Sequence, residues 1–319
     1  SGVEYPSVMN ASGTRGFFGE GYWYHKYWNI AGLTFKNCAL NAKTTTMQER
    51  LNPKKGLGNM PMRPDGITPH EFFPKCIVIK PWSGAALNAV GLSGPGAPNL
   101  LAREEWQRIS GPPWNLSFMS VEKEMSDRLS ELREFVKLLL PVVHKFNAPV
   151  GLEMNFSCPN ANVQHSSLVE EVCTALSIAG ELHIPLQCKF NALASVKEVK
   201  EISRYRACGA IVMGNTIPWK DFPDILKLRF FGKLRSPLEH LGGGGVSGPP
   251  LRAIHCQWIR EARESGITKP IWGCGGVDSI KAVDEYHQAG ASGIQFGTVC
   301  ITRPWRTTSI IARAHELFL

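Results

Sequence analysis

Gly151-Leu-Glu-Met-Asn-Phe-Ser-Cys-Pro-Asn160 starts as a strand and ends as a loop. Val150, Leu152, Met154 and Phe156 alternate with smaller or polar residues, the period of an extended segment. Pro159 removes a backbone donor and biases Cys158 away from the helical region, so the strand stops there. Asn155, Ser157, Cys158 and Asn160 therefore crowd the C-terminal end of a strand. A thiol between two carboxamides is an unusual choice for packing.

Short apolar runs of this kind alternate with helical patterns from end to end. Working outward, the strands before it are Ser7–Asn10, Asn37–Lys43 and Trp114–Met119. The strands after it are Pro185–Phe190, Gly209–Asn215, Pro270–Gly273 and Ser292–Phe296. Helices are expected at Met125–Phe146, Ser167–Leu182 and Ser195–Arg206, from about Pro250, after Asp278 as cap, and over Trp305–Leu319. Ser195 with Glu198 three residues on reads as a capping box. Eight strands with helical crossovers predict α/β architecture: a closed parallel (β/α)8 TIM barrel, one domain over residues 1–319. An open doubly wound sheet is the weaker reading, because no G-x-G-x-x-G opens the first crossover. Cys76–Ile79 and Ala85–Val90 read as an excursion, residues 50–74 as a long loop, and 217–241 as a basic, Pro-interrupted insertion. Both additions belong at the C-terminal face. The aromatic stretch at 16–30 suits packing better than ligand stacking.

The 319 residues are 43% hydrophobic and 19% charged, enough for a full core. No apolar run long enough to span a membrane and no signal-peptide pattern occur, so a cytoplasmic location is expected. The net charge of +8 suits an anionic ligand, nucleic acid or a solvated basic surface; without a Lys/Arg block, no nucleic acid is expected. The nine cysteines are scattered with no C-x-x-C, which argues against a metal site or a disulfide framework.

Barrel chemistry sits where strands end. Asn10, Ser12, Lys43, Thr44, Asn155, Cys158, Asn160, Lys189, Asn215 and Thr216 all fall there. Packing explains one such residue and not the set. Gly275-Gly276 and Gly297-Thr298 end the last two strands, where backbone N–H groups can meet a phosphate; ordinary strand-to-helix turns are the plain alternative. Gly242–Gly248 is a weaker signal of the same kind. Lys43 and Lys189 either snorkel to the rim or serve an anion or cofactor. Cys158 is either a structural thiol or a proton-transfer group. His165 reads as a loop residue.

The ordered set of motifs resembles the dihydroorotate dehydrogenase family. Met9-Asn-Ala-Ser-Gly13 is similar to its first-strand flavin contact, and Asn41-Ala-Lys-Thr44 to the strand carrying its lysine. Leu87-Asn-Ala-Val-Gly-Leu92 resembles its substrate-binding asparagine loop, and Asn155-Phe-Ser-Cys-Pro-Asn160 its N-x-S-C-P-N signature. Gly214-Asn-Thr216, Gly244–Gly248, Gly273–Gly276 and Gln295-Phe-Gly-Thr298 follow in order. The resemblance implies an FMN barrel that oxidises (S)-dihydroorotate to orotate in de novo pyrimidine synthesis. Cys158 would remove the C5 proton, while the C6 hydride goes to flavin N5. Lys43, Asn88, Asn155, Asn160, Asn215 and Thr216 would hold the substrate. Ala11, Ser12, Gly13, Lys43, Thr44, Asn155, Lys189, Gly248, Gly275, Gly276, Gly297 and Thr298 would hold FMN, with no metal.

A cysteine base resembles the soluble class 1 enzymes. Gly244-Gly-Val-Ser-Gly248 looks more like the membrane-type glycine loop, and Ala161–Ser166 departs from the usual soluble-enzyme loop. A homo-oligomer, such as a dimer, and an electron-transfer partner subunit are expected, with fumarate, a quinone or NAD as acceptor. Two alternatives remain at this level. One is an FMN enzyme of another dihydropyrimidine, including the tRNA dihydrouridine type. The other is a non-catalytic flavin-binding paralogue.

Overall fold

Seven strands pair in parallel, and the order of pairing shows how the chain curls. The computed structural model describes residues 3–21, 35, 37–55, 57–156 and 165–318. The strands are β1 (Val8–Asn10), β4 (Trp114–Phe118), β5 (Val150–Asn155), β6 (Leu186–Phe190), β7 (Ala210–Met213), β10 (Ile271–Cys274) and β11 (Gly293–Phe296). Their spatial order is β1-β11-β10-β7-β6-β5-β4.

The expected second strand, Asn37–Lys43, is reduced to isolated bridges. Ala39 bridges Met9 of β1, while Asn41 and Thr45 bridge Asn115 and Phe118 of β4. This segment thus joins the two sheet edges and closes the barrel. The reason it is not a regular strand lies in Asn10. Its side chain donates to Asn41 O (2.7 Å) and accepts from Asn41 N (3.2 Å), so a side chain takes the place of ladder bonds to the Asn41 backbone.

Alternation sorts each strand into two faces. Leu152 and Met154 of β5, Cys188 and Phe190 of β6, and Leu116 and Phe118 of β4 join the large core beneath the helices. Met9, Val212, Trp272 and Cys274 form a smaller cluster of their own. The positions between the outward residues, Ser117, Glu153, Gln187, Lys189 and Gln295, are buried and polar.

The helices are α1 (Ala97–Ala102), α2 (Glu105–Arg108), α3 (Met125–Leu139), α4 (His165–Ala179), α5 (Val196–Ser203), α6 (Asp224–Phe231), α7 (Arg252–Glu264), α8 (Ile280–Gln288), α9 (Val299–Thr302) and α10 (Thr307–Leu317). α3 stops short of the expected Phe146, because Pro141 has no N–H to continue the ladder; a 3-10 turn at Val143–Lys145 follows. The capping box at Ser195 is formed. Asp278 does not cap α8. Ser279 does, accepting from Ala282 N. Asp278 instead receives Arg252 (2.9 Å) and Arg303 (2.7 Å), where a carboxylate gains more from two guanidinium groups than from one amide.

The excursion is a hairpin of β2 (Ile77–Lys80) and β3 (Ala85–Asn88). It is extended by β9 (Gly245–Ser247) and then β8 (Ile217–Pro218) into a four-stranded antiparallel sheet. β8 follows directly on β7, which places this second sheet at the C-terminal mouth of the barrel. The insertion at 217–241 is more ordered than its prolines suggest. It carries α6, closed by Gly232 in the left-handed conformation (φ 70°). Trp219, Phe222, Phe231 and Leu238 pack there against Leu87 and Val246. No described helix is long and apolar enough to cross a membrane.

Candidate active site

Two groups of loops meet at the mouth. In the first, Asn155 ends β5 and Asn215 follows β7; Asn215 Nδ2 donates to Asn155 Oδ1 (2.9 Å). Asn215 Oδ1 accepts from Thr216 N (2.8 Å), which locks the amide's orientation. Gly245 lies against Thr216, so closely that an added Cβ would come within 2.4 Å of its hydroxyl oxygen. Gly245 is also the register partner of Asn88. Thr216, Asn215 and Asn155 thus form one polar run, and Gly245 stands between it and Asn88. Cys158 and Asn160 lie outside the described residues.

Lys43 is 6% exposed, with its ammonium 4.9 Å from the Phe17 ring centroid. Burial pushes its pKa down to about 8, and the charge of Glu20 opposes the fall. Lys43 and Cys76 are near enough to shift one another's titration. Cys76 O accepts from Ala89 N, so Lys43 faces the same hairpin end as Asn88.

In the second group, Gly248 and Gly276 pack against backbone, while the contacts at Gly297 and Thr298 are made by side chains. A Cβ on Gly248 would meet Gly84 O at 2.5 Å and Thr298 Cγ2 at 3.3 Å; one on Gly276 would meet Pro249 Cα at 2.9 Å. A Cβ on Gly297 would meet that of Ala11 at 3.1 Å. The loops after β1, β9, β10 and β11 therefore converge, and at Gly248 (φ +90°) and Gly276 (φ +72°) only glycine permits the approach. Gly275 has φ of +93°, and a Cβ there would meet His255 Nδ1 at 2.7 Å. Beneath, His255 Nδ1 lies 2.7 Å from Cys274 O, and Tyr286 OH reaches Cys274 O (2.7 Å) and Gly275 O (2.6 Å). Burial lowers the His255 pKa to about 4, so the ring is neutral and Nδ1 carries the proton that Cys274 O accepts.

Between the groups, Ser12 and Thr44 share a hydrogen bond (2.7 Å), and Thr44 meets Ser117 Oγ (2.9 Å). Lys189 does not snorkel. It is 4% exposed and its Nζ lies 3.1 Å from Glu153 Oε1. Burial alone would lower the Lys189 pKa, yet the charge and hydrogen bond of Glu153 raise it overall. Glu153 and Ser117 escaped the sequence reading of the site, and Gln295 entered it only as the first residue of a motif, with no role. The signal was present: Glu153 sits two residues before Asn155, on the same face of an alternating strand.

The family model for dihydroorotate dehydrogenase matches residues 27–317. The chain belongs to the dihydroorotate dehydrogenase family. It is 28% identical to the "Dihydroorotate dehydrogenase B (NAD(+)), catalytic subunit" of Anoxybacillus flavithermus, over 97% of this chain and 86% of that protein. The protein of the same description from Streptococcus pneumoniae is 27% identical, over 95% of this chain and 86% of that one. Among solved structures, the dihydroorotate dehydrogenase of Eimeria tenella in complex with ferulenol superposes with a TM-score of 0.66. At 18% identity, covering 98% of this chain and 80% of that one, it shares the fold. The family is FMN-dependent and oxidises dihydroorotate in pyrimidine biosynthesis, so this chain is an oxidoreductase of that kind.

Proposed function

We propose that the mouth binds FMN and dihydroorotate together, with the residues divided as the two groups of loops divide them. The observation that carries this is the run Thr216–Asn215–Asn155, with Asn88 across Gly245 from it. It offers amide donors and acceptors to a small ring of alternating polarity, beside a buried lysine for its carboxylate. The residues fit FMN: Gly248, Gly276, Gly297 and Thr298 form a close backbone cradle for the phosphate. Ala11, Ser12, Gly13, Thr44, Gly275 and Lys189 flank the place where a flavin would lie. FMN, when bound, supplies the two-electron acceptor.

The chain's own residues orient and deprotonate. Asn88, Asn155, Asn160, Asn215 and Thr216 hold the ring. Lys43 holds the carboxylate. Cys158, as thiolate, takes the C5 proton. The relatives' printed description, an NAD+-linked "catalytic subunit", supports a partner subunit for reoxidation; a homo-oligomer of this chain is part of the same proposal.

Anaerobic addition of dihydroorotate to the FMN-loaded protein should bleach its visible absorbance. Cys158→Ala should slow that bleaching by at least about a hundredfold while FMN stays bound. Unchanged bleaching in the variant rejects Cys158 as the base. A yellow protein that dihydroorotate does not bleach rejects the substrate, leaving another dihydropyrimidine or a binding role.

A further inference from the structure

We propose that Glu153 is a positioning residue for the redox chemistry: its carboxylate holds Lys189 as a fixed positive charge beneath the flavin and so sets the potential of bound FMN. This rests on the FMN reading above.

Glu153 is wholly buried on β5. Its Oε1 receives Lys189 Nζ (3.1 Å) and Ser117 Oγ (3.2 Å). Its Oε2 receives Asn41 Nδ2 (2.7 Å) and Gln295 Nε2 (2.9 Å). Every one of these partners donates, which is the environment of an ionised carboxylate; a protonated acid would need an acceptor. The two amides direct their donors at Glu153 while Asn41 Oδ1 and Gln295 Oε1 have no hydrogen-bond partner among the described residues. That arrangement is costly unless the charge it serves is needed. Lys189 is the cation in this set, and breaking a buried pair leaves its partner's charge uncompensated.

The group also reaches the other wall of the mouth. With Ser117 donating to Glu153, Thr44 donates to Ser117, and beyond them the Ser12 hydroxyl, 2.7 Å from that of Thr44, donates to Ala42 O. Lys189 is faced by Glu153 from β5 and by the Cys274 thiol from β10, whose own pKa burial pushes up to about 11. Glu153 is therefore the group that keeps the Lys189 ammonium protonated against desolvation.

The test is the midpoint potential of bound FMN against pH, in the wild type, E153Q, K189M and the double variant. The wild type should show no break from Lys189 across neutral and moderately alkaline pH. In E153Q a break should appear there. As Lys189 loses its proton, the equilibrium for reduction should fall about tenfold, or about 30 mV for a two-electron couple. The break should vanish in E153Q/K189M. Its absence in E153Q, or its survival in the double variant, overturns the proposal.

Should E153Q not fold, NMR titration of ε-13C-lysine in the cofactor-free wild type decides. Lys189, assigned by its loss in K189M, should stay protonated above pH 10.5, the ordinary lysine value. Titration at or below that value overturns the pairing. A protein that takes up no FMN overturns the functional reading and this one with it, whereas FMN uptake with no break overturns this one alone.

Discussion

Lys43 shows how a single buried charge writes itself into stability. Its folded pKa is about 8 against 10.5 for an ordinary lysine. Below pH 8 both folded and unfolded chains hold the proton, and folding bears the full cost of burying it. Between pH 8 and 10.5 the unfolded chain still binds the proton and the folded chain releases it, so stability rises with pH. In the cofactor-free protein, Lys43→Met should therefore add roughly 1–3 kcal/mol at pH 7, with the gain fading toward pH 10.5. Urea unfolding at both pH values checks this; a pH-independent gain contradicts it. The same variant should raise KM for dihydroorotate. Gly276 makes a second case at this scale. Its φ is +72° and its missing Cβ would press on Pro249 Cα. Gly276→Ala should weaken FMN retention in dialysis at least tenfold (about 1.4 kcal/mol), whereas Gly111→Ala, with φ +111° and open space, should not.

Among the elements, the tip of the hairpin β2–β3 is tied down by one arginine. Arg303 Nη1 binds Asp278 Oδ2 (2.7 Å), and its Nη2 binds Trp82 O (2.7 Å) at the hairpin tip. A Cβ on Gly84 would lie 3.0 Å from Arg303 Nη1, and Gly84 O abuts Gly248. Arg303→Ala should therefore raise hydrogen exchange at residues 81–84 about tenfold, with weaker FMN binding as a secondary effect. Exchange confined to its wild-type rate would show that the strands alone hold the tip. Asp278 illustrates why this was not legible in the sequence. An Asp before a helix reads as a cap, and the guanidinium groups that claim it come from α7 and from the segment after α9, distant in the chain.

For the whole molecule, the charge of +8 acts on a substrate that carries a carboxylate. Screening shortens from about 30 Å at 0.01 M salt to about 3 Å at 1 M. Across that range kcat/KM for dihydroorotate should fall severalfold while kcat holds, since charge at a distance governs encounter rather than chemistry. A salt-independent kcat/KM would assign the charge to solubility alone.

Local pattern along the chain was enough for the barrel, for the order of its strands and for Asn155, Asn215 and Thr216, which the structure brings together at the mouth. Alternation and capping are local, so Val150 to Asn155 announces a strand and Ser195 with Glu198 announces a helix wherever they are placed. Motif order carried the family, because the motifs lie on separate strands whose ends a closed sheet must bring together. Only the tertiary structure decided which polar residues are partners. It interrupted the second strand where the Asn10 side chain binds the backbone of Asn41, since that contact spans the barrel seam. It also turned Gly151-Leu-Glu-Met-Asn, read for its asparagine and the thiol beyond, into the strand that buries Glu153 against Lys189. Ion pairing depends on distance in space and on exclusion of water, and neither is written in the spacing of residues along a chain.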